Sequence, residues 1–173
     1  TLQPLTPTRR SGSAAAPGCA TARFQAHSTS SNAQPETFPM SFVTKRRILF
    51  GDCDPAGIVY TPRISYFVIE AVHDFLAHAL GGPAIREIFA MGILPPARAL
   101  SIEFLAPMAW DEVIDIEVRS GDLTTSSFSF FVEARNAARD VTFRATLTQV
   151  AVSPESKRPI PLPQALRDAL SAT

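Results

Sequence analysis

Thr44-Lys45-Arg46-Arg47-Ile48-Leu49-Phe50 runs directly into Gly51-Asp52-Cys53-Asp54-Pro55-Ala56-Gly57, and Ile58-Val59-Tyr60-Thr61-Pro62 then opens a stretch of different period. The first seven residues are short and β-rich, as a strand requires, and the Asp, Pro and Gly cluster after them is a dense turn signal. Beyond it Ile64, Phe67, Val68, Ala71, Val72, Phe75, Leu76 and Ala79 recur at helical spacing. They form one apolar stripe, so the pattern predicts an amphipathic helix over 62–80. Thr61 suits the N-cap, Pro62 the first helical position, and Gly81-Gly82-Pro83 the stop.

Working outward, a shorter helix is expected over 84–91, closed by Gly92. After Pro95-Pro96 the period falls to two, which predicts strands over 97–104, 113–120, 126–134 and 141–152. Gly121-Asp122 and the run from Asn136 to Asp140 supply turns. A Pro-rich connector from Pro154 to Pro163 precedes a last short helix, in which Ala165, Leu166, Ala169 and Leu170 share a face. Strands joined by short turns pair antiparallel, and a sheet with one apolar face needs a cover that only the long helix can give. The class is therefore α+β: one long helix wrapped by a curved antiparallel sheet. A single layer of this size is expected to complete its core as a homodimer or homotetramer.

Composition narrows the partners. Lys+Arg and Asp+Glu both number 16, so the formal charge is zero and no basic footprint for nucleic acid exists. No stretch approaches the apolar length of a membrane span. The two cysteines, Cys19 and Cys53, make neither a disulfide framework nor a metal spacing, so a reducing, cytoplasmic setting without metal is expected. Residues 1–39 hold five of the 15 prolines and a charge of +2, leaving −2 for residues 40–173. Their scarcity of large apolar groups predicts a disordered N-terminal extension ahead of a domain over 40–173, with the true start at Met40. Few acids, several Arg and much Ser/Thr also fit an organelle transit peptide, against which the prolines argue.

Asp52 and Asp54 end the first strand just before the helix start. The positive end of the helix dipole and its free amides favour a carboxylate there, or could receive a substrate oxygen that develops charge. A carboxylate beside such donors suits acyl transfer. Asp, Pro and Gly serve equally well in a plain turn, and the isolated pair does not decide between the two.

The longer string does. Phe50-Gly51-Asp52-Cys53-Asp54-Pro55-Ala56-Gly57-Ile58-Val59-Tyr60 resembles, nearly residue for residue, the signature loop of the 4-hydroxybenzoyl-CoA thioesterase family of hotdog-fold enzymes. The helix that follows, with Glu70-Ala71 in its middle, and the later strands extend the likeness over about residues 42–168. The resemblance implies hydrolysis of an aryl or short-to-medium acyl-CoA, or acyl-carrier, thioester to acid and thiol, without a cofactor, at a dimer interface. It makes Asp54 the catalytic carboxylate, as nucleophile or general base, and the backbone N–H of Thr61 the carbonyl-polarising donor. Relatives often carry Tyr or His at that position, and Thr61 departs from them. Tyr60 is expected to line the acyl pocket.

The neighbours have plainer roles. Asp52 reads as a loop-backbone acceptor rather than half of a metal pair, and Cys53 as a small packing residue. Glu70, in phase with Arg63 and Asp74 opposite the stripe, reads as a solvated or dimer-facing charge and is the second candidate carboxylate. His73 shares that surface reading, and His78 packs at the stripe's edge. Trp110 is expected to anchor a turn. Val68 and Ile69 stand where a reader of an aryl hydroxyl would need a polar group, which points away from 4-hydroxybenzoyl-CoA itself. Arg144, Lys157 and Arg158 could meet CoA phosphates, but exposed cations are too common to assign. Two rival functions remain: a haloacid-dehalogenase-like phosphotransferase, which the succession of four strands contradicts, and a non-catalytic hotdog module that binds acyl thioesters.

Overall fold

The structure, a computed structural model, describes residues 41–172. The expected leader and its boundary lie outside the described residues. Strand β1 (Phe42–Arg47) leads into a single 3-10 turn (Phe50–Asp52). Helices α1 (Arg63–Leu80) and α2 (Ala84–Ala90) follow, then strands β2 (Ala97–Phe104), β3 (Val113–Leu123), β4 (Ser127–Arg135) and β5 (Val141–Val150), and finally helix α3 (Gln164–Ala172). The element types and their order are those the periodicity predicts. Among the described residues no helix is long and apolar enough to cross a membrane.

β1 departs from the expected 44–50. Its ladder with β3 ends at Arg47, opposite Val113. The Leu49 N–H turns to the Asp52 carboxylate, 3.0 Å away, and the chain folds into the 3-10 turn. A local side-chain acceptor has outcompeted the sheet there.

The five strands form one antiparallel sheet in the order β1-β3-β4-β5-β2. β2 therefore pairs with β5 at the far edge and not with β3, its neighbour in sequence. The connection 105–112 is no tight turn. It crosses the end of the sheet, held by Leu105 and Ala106 amides on the Thr142 carbonyl and by exchange between Ile48 and residues 111–112. Register shifts interrupt the β3–β4, β4–β5 and β2–β5 ladders, irregularities of the kind that increase local twist.

α1 lies across this sheet against β1, β3, β4 and β5. Its stripe, Ile64 through Leu76, is buried as the spacing requires, against Ile114, Ile116 and Val118 of β3, Phe128 and Phe130 of β4 and Phe143 of β5. Phe75 is wholly buried and meets Phe130 edge-on at 5.7 Å between centroids. Each such side chain contributes about 1.5–3 kcal/mol by burial. The helix ends at Gly81, whose φ of 70° is the left-handed cap conformation. At the other end, Thr61 does not cap it: the cap position is Pro62, and no side chain bonds the first turn's amides.

Candidate active site

The signature string folds into a small hairpin at the foot of α1. Asp52 O accepts the Tyr60 N–H at 2.9 Å, Cys53 bridges Val59, and the Asp54 N–H donates to Ile58 O at 2.9 Å. Gly57 turns the tip with φ +81°, which explains why glycine stands there. The second arm is pinned to the crossing connection by the Val59 N–H on Met108 O, 2.9 Å. Asp54 thus sits on one arm and Thr61 just past the end of the other.

Asp54 is partly exposed, and its Oδ1 accepts the Ala56 N–H at 2.8 Å. That bond fixes the direction of the carboxylate and leaves its other oxygen without a protein hydrogen-bond partner among the described residues. At the helix start the amides of Arg63, Ile64 and Ser65 are already satisfied, by Tyr60, Thr61 and Pro62 carbonyls at 2.7, 3.2 and 3.3 Å. The expected row of free helix amides is therefore consumed internally. The Thr61 N–H is different: it donates no hydrogen bond among the described residues. Thr61 also lines a cavity of about 280 Å³ with Ile58, Ile64, Phe104, Leu105 and Met108. Tyr60 lies outside that lining and is 58% exposed, and its amide ties the hairpin.

Asp52 is 1% exposed. It is a loop acceptor, as expected, but also an ionic hub: Arg63 Nε lies 2.6 Å from Oδ1, and Arg46 Nη2 lies 3.5 Å from Oδ2. Burial alone would raise its pKa. The Arg63 and Leu49 hydrogen bonds and the charges of Arg46 and Arg63 outweigh that and hold it below the ordinary value. Arg63 is thus drawn back to the hairpin and is not a plain surface charge. Arg46 also pairs with Glu70, so the second candidate carboxylate is already engaged. Burial, with the charges of Asp52 and Asp54, pushes the Cys53 thiol up, so it stays protonated and packs.

The remaining candidates scatter. His78 stacks on Phe42 at 5.3 Å, in line with its packing role. His73 is half-buried rather than on the surface, and burial lowers its pKa. It lines a second, apolar cavity of about 570 Å³ with Ile85, Phe89 and Leu94. Trp110 sits in the turn at 110–111, within the connection between β2 and β3, and is 53% exposed. Val68 is fully buried against the sheet. Arg144 is committed to Glu133 at 2.7 Å. Sequence reasoning missed Arg46, Arg63 and the Phe104–Met108 wall. The one available signal for that wall was an apolar strand end running into Pro107.

Residues 48–170 match the thioesterase-like superfamily. Among individual proteins, the 1,4-dihydroxy-2-naphthoyl-CoA hydrolase of Thermosynechococcus vestitus is 27% identical over 123 residues, 70% of this chain and 83% of that protein. The 4-hydroxybenzoyl-CoA thioesterase of a Pseudomonas species is 29% identical over 89 residues, 51% of this chain and 63% of its own. A 4-hydroxybenzoyl-CoA thioesterase solved with 4-hydroxybenzoyl-CoA superposes with a TM-score of 0.67 at 25% identity, covering 75% of this chain and 98% of that one. A 1,4-dihydroxy-2-naphthoyl-CoA thioesterase from Synechocystis superposes with a TM-score of 0.70 at 22% identity, over 76% and 96% of the two chains. The helix-on-sheet layer is thus the hotdog fold, and the chain belongs to the thioesterase-like superfamily.

Proposed function

We propose that this thioester hydrolase cleaves an aryl or short-to-medium acyl-CoA, or the matching acyl-carrier thioester, with Asp54 as the reacting carboxylate. The reading is carried by one observation: a single hairpin bears a directed carboxylate on one arm and an unspent amide, Thr61 N–H, past the other, beside an apolar cavity. The thioester carbonyl oxygen accepts the Thr61 N–H, which stabilises the charge that develops there. As nucleophile, the free Asp54 oxygen bonds to the carbonyl carbon, the carbon–sulfur bond breaks, thiolate leaves, and water then hydrolyses the mixed anhydride. As general base, Asp54 takes a proton from water, the hydroxide adds to the carbonyl carbon, and thiolate leaves from the tetrahedral intermediate. Both routes end in acid and thiol, and neither needs a group the chain lacks. The named activities of the relatives support the class of substrate.

The working unit in this reading is a pair of chains joined along β2. That strand is an open edge with nearly every residue exposed, and Leu100, Phe104 and Leu105 expose large apolar surface along it. An open apolar edge invites a further strand, and Phe104 and Leu105 place the Thr61 cavity beside that edge.

Thiol release from a panel of aryl and aliphatic acyl-CoAs tests the chemistry. Asp54→Asn should keep the fold and lose at least about 100-fold in kcat. Undiminished turnover in that variant would sink the assignment, and a wild type inert across the panel would favour a thioester-binding module.

A further inference from the structure

Hydrolysis as described gives Asp52 nothing to do, yet Asp52 is the buried carboxylate of the loop. Its acceptor capacity is filled from three directions: Arg63 Nε at 2.6 Å, the Leu49 N–H at 3.0 Å and Arg46 Nη2 at 3.5 Å. Arg46 in turn pairs with Glu70, and its guanidinium carbon lies 3.8 Å from the Phe67 ring centroid. Four charges of alternating sign therefore run from the start of α1, through the hairpin and β1, to the middle of α1.

Their placement on the hairpin matters most. Asp52 stands two residues before Asp54, and Arg63 stands two residues after Thr61. The Asp52–Arg63 contact consequently closes the open end of a hairpin whose arms carry the carboxylate and the amide. The rung between Tyr60 N–H and Asp52 O lies directly under it. A turn that needed only its shape would be served by Asn or Ser, because removing a carboxylate from water costs several kcal/mol. An ionic clamp adds fixed geometry.

We propose that Asp52, held by Arg63 and Arg46, is a positioning residue for thioester hydrolysis, setting the separation of the Asp54 carboxylate from the Thr61 amide. The proposal rests on the hydrolytic reading of the site given above. It makes Arg63 the fastener of the hairpin, and Glu70 the group that orients Arg46 rather than a reacting acid.

The full chain and its Asp52→Asn, Arg63→Gln and Arg63→Lys variants separate the possibilities. Thiol release is measured well below each melting temperature, alongside hydrogen exchange at the Tyr60 and Asp54 amides. Asp52→Asn and Arg63→Gln should lower kcat roughly 10- to 100-fold, with KM within about twofold of wild type. Exchange at Tyr60 should quicken while the β4–β5 ladder stays protected. Arg63→Lys, which keeps a cation on Asp52, should recover most of the loss. If Asp52→Asn does not fold, Arg63→Gln decides, since Arg63 is 39% exposed and less needed by the core.

The proposal is overturned if kcat per folded molecule is unchanged, if the loss is all in KM, or if Lys does no better than Gln. A wild type that turns over together with equally active variants removes the positioning role alone. A wild type inert to every acyl-CoA removes the hydrolytic reading, and the positioning role falls with it.

Discussion

At the scale of single residues, charge burial governs the response to acid. Burial by itself would raise the pKa of both Asp52 and Glu133. In Asp52 the Arg63 and Leu49 hydrogen bonds reverse that effect, and in Glu133 the hydrogen bonds and charges of Arg144 and Arg135 do so. Both therefore titrate below their ordinary values of 3.8 and 4.5. A group with a lowered folded pKa adds stability above its unfolded pKa and gives it up as pH falls through the folded value. Stability should thus be insensitive to these two groups near neutrality and decline in the acid range below them. Asp52→Asn should be about 1–3 kcal/mol less stable than wild type at pH 7. That gap should close as the pH falls through the acid range, which urea melts at a series of pH values would read, and a constant gap would show that the ion pairs are idle. Glu133 should contribute less, because Arg144 is 54% exposed and solvent screens the pair. Asp54 stands out as the candidate carboxylate from its string of neighbours alone. The partners of Asp52 were not, since Arg63 lies 11 residues and Arg46 6 residues away, and no local pattern pairs a loop acid with a helix or strand arginine at such spacings.

At the scale of elements, legibility follows the range of the signal. α1 was readable because its stripe is periodic within the helix, and the structure buries that stripe from Ile64 through Leu76, with Ala79 only half-buried. Its start was misread because capping depends on where Thr61 Oγ1 points, and there the i to i+3 turns from Tyr60, Thr61 and Pro62 do the work instead. Strand existence was readable from alternation, whereas strand order was not. Alternation says which face a residue takes and nothing about which strand lies beside it, so β2 reached the far edge unannounced. The same contrast sets the energetics. Phe75 is wholly buried between Phe42, at 6.2 Å, and Phe130, at 5.7 Å. Phe75→Ala should cost about 3–5 kcal/mol by leaving a cavity. Phe89 on α2 is 52% exposed, and Phe89→Ala should cost less than about 1 kcal/mol. Thermal melts of the two variants check the ranking, and equal losses would contradict the placement of the core.

At the scale of the molecule, the sheet has two edges and treats them differently. β1 carries Lys45, which pairs with Asp115 at 2.9 Å, and Arg47, which pairs with Asp111 at 2.7 Å, so that edge is blunted by charge. β2 (ARALSIEF) has Arg98 and Glu103 near its ends and Leu100, Ser101 and Ile102 between them, an edge with no charge at its centre. If two chains join there about a two-fold axis, each residue near the middle of β2 lies close to its own copy. Leu100→Lys then sets ammonium groups near one another across the seam, which opposes pairing. Leu100 is not among the residues lining the Thr61 cavity, so the site within one chain is left as it was. Sedimentation velocity should find wild type as a dimer or tetramer and Leu100→Lys shifted toward monomer at equal concentration. Thiol release per chain should fall with the dimer population and recover as protein concentration rises, because Phe104 and Leu105 link the cavity to that edge. A fully active monomer would separate the hydrolytic site from the edge and leave β2 as an exposed strand with some other purpose.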